Sequence, residues 1–347
     1  MKLIKPSYEI LPTTGSIFED IERAARTCYK SSPKYRYWNE GTTRFLNEDT
    51  EDFKVFYNEK DFPIKENISA EKMVKFLIER NHTAMLEHGT IYLYLYPGTA
   101  ITGYKYRDNR YSKYVEIRET EKLSPKIHKY ITTNYRVLVE NGWLDDLQYQ
   151  CSPTKYHEKR ISVRFICDRG ITHELVRHRV FSFAQESTRF CNYSKNKFGN
   201  ELTFIIPCWY NFLEGSYKLF DDGWNIENYQ DKCDIIKHSS IEYHFTPNFW
   251  CKYTQEYNFL NLLKYSEDTY FELLNGIEDD NNKLVSKQTP QQARSVLPNS
   301  LKTELIMTGF VSDWKGFFKL RDNSHAHPQA FELAHPLHEE FKKLNLI

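Results

Sequence analysis

The chain has 347 residues, and Lys+Arg and Asp+Glu both number 47, so its formal net charge is zero. That balance argues against a general nucleic-acid binder, which carries a basic surplus, and 25 Tyr with 23 Phe argue against a disordered chain. Seven cysteines without a C-x-x-C pair argue against a disulfide framework and a Cys-based zinc site, and the lack of an apolar leader or a membrane-length apolar run leads to the expectation of a cytoplasmic protein with no membrane partner and no metal.

In chain order, residues 17–30 read as a helix with Ile21, Ala24, Ala25 and Cys28 on one stripe. Residues 31–66 read as an irregular, Tyr-rich segment. A second helix is predicted from Ser69 as N-cap, with Glu71 in its first turn and Met73, Phe76 and Leu77 at helical spacing. Residues 91–96 alternate Tyr with aliphatics as a strand does. Residues 97–128 read as charged turns and 129–150 as helix. Residues 161–167 alternate again as a strand; Asp168-Arg169-Gly170 ends it, and a helix carrying Arg177 is expected next. Residues 202–206 read as a strand stopped by Pro207, and 209–250 show weak patterning. Residues 256–275 read as a helix. Thr289-Pro290 opens a short one, as N-cap and first position, that Pro298 closes. Residues 301–320 read as helical, 321–325 as a polar turn, and 328–344 as the last helix. Strands and helices mix without a regular βαβ period, so the expected class is α+β. Neither a Rossmann nor a P-loop glycine motif is present.

The chemistry concentrates in residues 177–189. Arg177, His178, Arg179, Gln185, Ser187, Thr188 and Arg189 lie within one short stretch, and arginine's planar fork suits phosphate. Val180, Phe181 and Phe183 interrupt the charges, which points to a partly buried site. On a helix Arg177 and Arg179 would point to different sides, and Glu174, three residues earlier, would orient Arg177 or form an ordinary surface pair with it. Ser187 lacks the surroundings of a nucleophile elbow, so donation to a phosphate oxygen is its simpler role. Cys208 after Pro207 reads as a buried structural cysteine.

Arg177-His178-Arg179, seven residues, then Ser187 resembles the R-H-R-x7-S signature of flavin-dependent thymidylate synthases. The likeness extends to Cys167-Asp168-Arg169-Gly170, to His173-Glu174-Leu175-Val176, and to His82, Glu87 and His88 as a His-x-x-x-x-Glu-His element. It also extends to Ala293-Arg294-x-Val296-Leu297-Pro298 and to Arg321-x-x-x-His325-x-x-x-Gln329. This resemblance implies one α+β domain over 1–347, with a mixed, mainly antiparallel sheet flanked by helices, and with enlargements near 31–66, 97–160 and 208–255. It implies reductive methylation of dUMP to dTMP, with methylenetetrahydrofolate as one-carbon donor, NADPH as reductant and FAD as hydride carrier, in a homotetramer with shared active sites.

Residue by residue, the resemblance puts Arg177, His178, Arg179, Gln185, His82 and Ala84 toward FAD. It puts Glu174, Leu175, Val176, Arg177, Gln185, Glu186, Ser187, Thr188 and Arg189 around the nucleotide, with Arg294 reaching it from a neighbouring subunit. Arg321 is the expected catalytic group, favouring an anion at the uracil N3. Ala84 stands where relatives often have Ser or Thr, Phe310 and Gly316 where some have polar flavin contacts, and Phe190 where many have Tyr. The competing expectation is a nucleotide- or RNA-binding relative without turnover.

Overall fold

The computed structural model describes residues 1–38, 46–47, 64–99, 103–119, 126–220, 223–226, 255–278 and 284–347. At its centre lies a four-stranded antiparallel sheet in the order Ser182–Gln185, Lys302–Phe310, Arg160–Asp168, Ser7–Leu11. One face of it packs on the helices Val311–Arg321 and Pro328–Lys343. There Val163, Phe165, Cys167, Leu305 and Met307 meet Trp314, Phe317, Leu333 and Phe341. The Trp314 indole N–H donates to the Ile161 carbonyl at 3.1 Å, so the ring buries its area without stranding a donor. The opposite face, through Leu11, Ala184 and Ile306, meets Ala24 of the first helix, Ile17–Tyr29.

Lys302–Phe310 is a strand where a helix is expected from the sequence. It is hydrogen-bonded on both edges and buried on both faces, with every side chain from Leu305 to Phe310 buried. A strand in that position loses its polar–apolar alternation and reads like the apolar part of a helix. The predicted helix over 129–150 divides in the same way. The strand Lys126–Asn134 comes first, and Asn134 then caps the short helix Tyr135–Asn141 by accepting from the Val137 N–H at 3.1 Å.

A second sheet, Thr90–Leu95 beside Lys126–Asn134 beside Lys113–Glu119, presents Ile91, Leu93, Leu95 and Ile131 to a core shared with the helices Ile17–Tyr29 and Ala70–Glu79. Within 97–128, where the sequence suggests turns, Lys113–Glu119 is a strand and Tyr104–Arg107 a short helix. Ser69 stands at the N-cap of Ala70–Glu79 without a side-chain cap bond. Asn67 serves instead, its Oδ1 accepting from the Ser69 and Ala70 N–H groups at 2.9 and 3.0 Å, while the Ser69 hydroxyl donates to the buried Glu22 at 2.6 Å. A third layer joins Lys2–Ile4, Thr203–Ile205 and Gly215–Phe220 to the helix Gln255–Asn275. Lys2–Ile4 with Thr203–Ile205 is a parallel pair in an otherwise antiparallel set. The class is α+β, with mainly antiparallel sheets flanked by helices, as expected. Most of 31–66 and 209–250 lies outside the described residues; Tyr35–Trp38, Ile64–Asn67 and Gly215–Phe220 within them are strands.

Candidate functional site

The helix after Asp168 is shorter than expected and does not carry Arg177. It spans Arg169–Leu175, starts on the Asp168 side chain, which accepts from the Ile171 N–H at 2.7 Å, and has Val176 as its C-cap. Beyond it the chain folds into tight turns, with the His178 N–H on the Leu175 carbonyl and the Phe181 N–H on the His178 carbonyl. The turns follow from Phe181, which is buried edge-on against Trp314 at 4.7 Å and redirects the chain into the strand Ser182–Gln185. A helical continuation would carry that ring away from the core.

The Glu174 carbonyl at this helix end accepts from the Arg177 N–H and also from Arg321 Nη2 at 3.1 Å. Arg321 is the last residue of Val311–Arg321. Its Nη1 donates to Glu174 Oε2 at 2.5 Å and its Nε to His178 Nε2 at 2.9 Å. Glu174 thus orients Arg321 and not Arg177, a correction to the sequence reading. Burial, and then the charge of Arg321, hold His178 down to about 4. The imidazole is neutral at pH 7, accepts at Nε2, and keeps its proton on Nδ1.

The arginines of the signature behave differently. Arg177, Arg179 and Arg189 are exposed, and among the described residues none of them has a carboxylate partner. Arg189 lies over the Phe190 ring at 5.5 Å. Arg294, at the end of the short helix Pro290–Ala293, is exposed and reaches Thr188 Oγ1 at 3.4 Å within the same chain. That contact sets Arg294 beside the end of the signature segment of its own chain. Thr188 itself is buried. Leu175 is buried in the main core, and the partly buried Val176 packs against it.

A cleft of about 490 Å³ gathers His82, Ala84, Gln185 and Ser187 with Cys28, Tyr29, Leu77, Asn81, Met85, Arg136 and Phe190. Gln185 is fixed by donating to Thr172 Oγ1 at 2.8 Å. The Ser187 N–H donates to the Cys28 carbonyl at 3.1 Å, and its Oγ accepts from the Arg189 N–H at 3.3 Å. Among the described residues no histidine is bonded to Ser187 Oγ, so nothing activates it as a nucleophile. Burial pushes the Cys28 thiol up to about 11, which leaves it protonated and unreactive. Tyr29 and Phe190, which line the cleft, have ring centroids 5.2 Å apart.

His82 stands at the N-cap of the turn Thr83–His88, exposed and without a cap bond. The rest of its motif is structural. Glu87 accepts from Arg136 Nη1 at 2.5 Å, and His88 is buried with Nδ1 on Thr308 Oγ1 at 2.8 Å. The buried Arg160 ties this turn to the signature strand, bonding the Glu87 carbonyl at 2.8 Å and Ser182 Oγ at 3.2 Å. Glu186 is 1% exposed and points away from the cleft into a charged cluster. Cys208 is exposed and not buried, which corrects the structural reading of that thiol. Sequence reasoning missed Tyr29, Asn81, Met85 and Arg136. Asn81 and Met85 stand beside and within the His82–His88 motif but carry no reactive group that would single them out, while Tyr29 and Arg136 come from distant helices; only the i,i+4 pair of Arg136 with Glu140 leaves a trace of the latter in the sequence.

Among known proteins, the chain is 29% identical over 171 residues to a flavin-dependent thymidylate synthase of Corynebacterium glutamicum, covering 48% of this chain and 50% of that one. It is 26% identical over 171 residues to one of Mycobacterium tuberculosis, with the same coverage. The chain thus spans about half the length of the curated relatives it matches. A distant structural likeness, with TM-score 0.36 and 13% identity over 99% of this chain and 92% of the other, links it to a UMP/dUMP methylase, PolB of Streptomyces cacaoi. Residues 111–345 match the family described as thymidylate synthase complementing protein, and with the R-H-R-x7-S segment inside the match the chain belongs to that family.

Proposed function

We propose that this protein methylates dUMP to dTMP, taking the one-carbon unit from methylenetetrahydrofolate and reducing equivalents from NADPH, with FAD as the hydride carrier. The observation that carries the proposal is the contrast between two sets of arginines. Arg177, Arg179, Arg189 and Arg294 are exposed and have no carboxylate partner among the described residues, whereas Arg321 is fixed by Glu174 and His178. The first set suits phosphate groups. The second is a preorganised guanidinium beside the signature; its proposed role is to stabilise negative charge at the uracil N3 and so make C5 more nucleophilic.

The cleft fits a flavin. Its volume lies in the ~300–1,000 Å³ range of small-molecule sites. Tyr29, Phe190 and Met85 offer a planar ring an apolar surround, while Asn81, His82 and Gln185 offer hydrogen bonds to its edge. Bound FAD would supply hydride transfer there; the chain's part is to bind, orient and exclude water. Ser187 and Arg189 would take the nucleotide phosphate, with Arg177 on one ligand and Arg179 on the other.

Assembly as a homotetramer of one-domain subunits is part of the proposal. Val180 and Leu320, beside Arg179 and Arg321, are 64% and 61% exposed, and a second subunit would cover them. No helix among the described residues is long and apolar enough to cross a membrane; we place the enzyme in the cytoplasm.

The test is the purified protein with FAD, NADPH, methylenetetrahydrofolate and dUMP. A yellow protein that forms dTMP at the expense of NADPH is expected. A colourless protein that FAD cannot reconstitute would overturn the reading and leave a nucleotide- or RNA-binding relative.

A further inference from the structure

We infer that Glu186 is a positioning residue, which sets the geometry of the cleft through Lys30, Lys302 and Glu304 and touches no ligand itself; this rests on the reading of the cleft as the flavin and nucleotide site. Both carboxylate oxygens of Glu186 are occupied inside the protein. Oε1 accepts from the Tyr193 hydroxyl at 2.8 Å, and Oε2 from Lys302 Nζ at 2.8 Å with Lys30 Nζ at 3.7 Å. Lys302 Nζ also bonds Glu304 Oε1 at 3.0 Å, and Lys30 pairs closely with the same oxygen. Two ammonium groups and two carboxylates close into a neutral cluster. Burial alone would raise the Glu304 carboxyl, but Lys302 and Lys30 hold it down to about 2.

The cluster's members sit where the cleft is built. Lys30 caps the first helix in the left-handed conformation, φ 49° and ψ 53°, directly after Cys28 and Tyr29, which line the cleft. Glu186 lies between Gln185 and Ser187, which line the same cleft. Lys302 and Glu304 belong to the central strand. Backbone bonds repeat the tie, with the Glu186 N–H on the Glu304 carbonyl at 2.8 Å and the Ser187 N–H on the Cys28 carbonyl at 3.1 Å. Glu186 is buried while Lys30, Lys302 and Glu304 reach partly to the surface; a network satisfied around a buried carboxylate favours one arrangement of the elements that carry it, so the spacing between Tyr29 and Ser187 is fixed from behind.

The experiment compares wild type, Glu186→Gln and the charge-balanced pair Glu186→Gln/Lys302→Gln. It reads melting temperature, FAD and dUMP affinity by titration, and exchange of the Ser187 amide proton in the ligand-free protein. Glu186→Gln should melt earlier and bind both ligands more weakly, by about 10- to 100-fold, the scale of a displacement of roughly 1 Å. The pair should recover melting temperature, since it strands no buried charge, yet keep weak binding and fast Ser187 exchange. A pair that melts and binds like wild type, with a protected Ser187 amide, would overturn the inference. If wild type itself binds neither FAD nor dUMP, the functional reading falls, and Ser187 exchange still decides whether the cluster fixes the cleft.

Discussion

Arg321 and His178 meet at 2.9 Å, Nε to Nε2, although 143 residues separate them. The bond requires a neutral imidazole, because a protonated ring has no lone pair to offer. Burial and Arg321 itself both favour that state. The histidine of the signature therefore serves the arginine expected to act on the substrate, and the two distant motifs form one unit with Glu174 as its third member.

Arg321→Ala should lower kcat by at least about 100-fold, the scale of losing one preorganised electrostatic group, while the flavin spectrum and FAD affinity stay near wild type. Stopped-flow kinetics and flavin absorbance check this. Wild-type turnover in the variant would remove Arg321 from the mechanism.

Arg177→Ala and Arg179→Ala should leave stability within about 0.5 kcal/mol, since neither side chain holds an ion pair among the described residues. Ligand affinity should fall in both, and differently for FAD and for dUMP if each arginine serves its own ligand. Thermal melts beside the two titrations separate these effects.

Ser187→Ala should weaken dUMP binding by about tenfold, the scale of a hydrogen bond to a charged group, and retain measurable turnover. Mass spectrometry of a quenched reaction should find no adduct on Ser187. A covalent nucleotide there would show that the hydroxyl is a nucleophile after all.

His88 predicts an acid-sensitive core. Burial first, and then Arg160, lower it from 6.5 to about 3. The folded state thus binds this proton less readily than the unfolded chain. The stabilising effect is complete above about pH 6.5 and is lost as pH falls toward 3, on the order of a few kcal/mol. His88→Gln cannot titrate but can still bond Thr308. Its melting temperature should fall less steeply between pH 6.5 and 4 than that of wild type; parallel slopes would contradict this.

Gly309→Ala should destabilise by about 1–3 kcal/mol through overpacking. A Cβ there would lie 2.4 Å from Phe181 Cδ1, and Phe181 cannot yield because Trp314 packs edge-on at 4.7 Å. Denaturant unfolding measures the loss, and Gly309→Ala/Phe181→Leu should restore part of it.

Much of the site was legible because its chemistry is local. Arg177, Gln185, Ser187 and Arg189 lie on one short segment whose residue types suit phosphate. What the sequence concealed depends on contacts between distant elements. The partner of Glu174 could not be found by helical spacing, because the helix ends at Leu175, where Phe181 turns inward. Tyr29 joins Phe190 only once the first helix docks on the signature strand. The strand Lys302–Phe310 was mistaken for helix because burial on both faces erased the alternation that marks a half-exposed strand. The helix Ile17–Tyr29 and the strand Thr90–Leu95, each with one buried and one only partly buried face, keep the alternation and are legible for the converse reason.

That central strand also ties the signature to a distant stretch of chain. Thr308 pairs with Ser182 and bonds His88, Gly309 makes room for Phe181, Thr303 neighbours Gln185, and Lys302 holds Glu186. A slip of one residue would invert every one of these contacts at once. In descent, then, the two stretches are not free to drift apart: a length change in either is tolerable only if the other compensates, and substitutions along Lys302–Phe310 should track those in the signature pairwise across relatives.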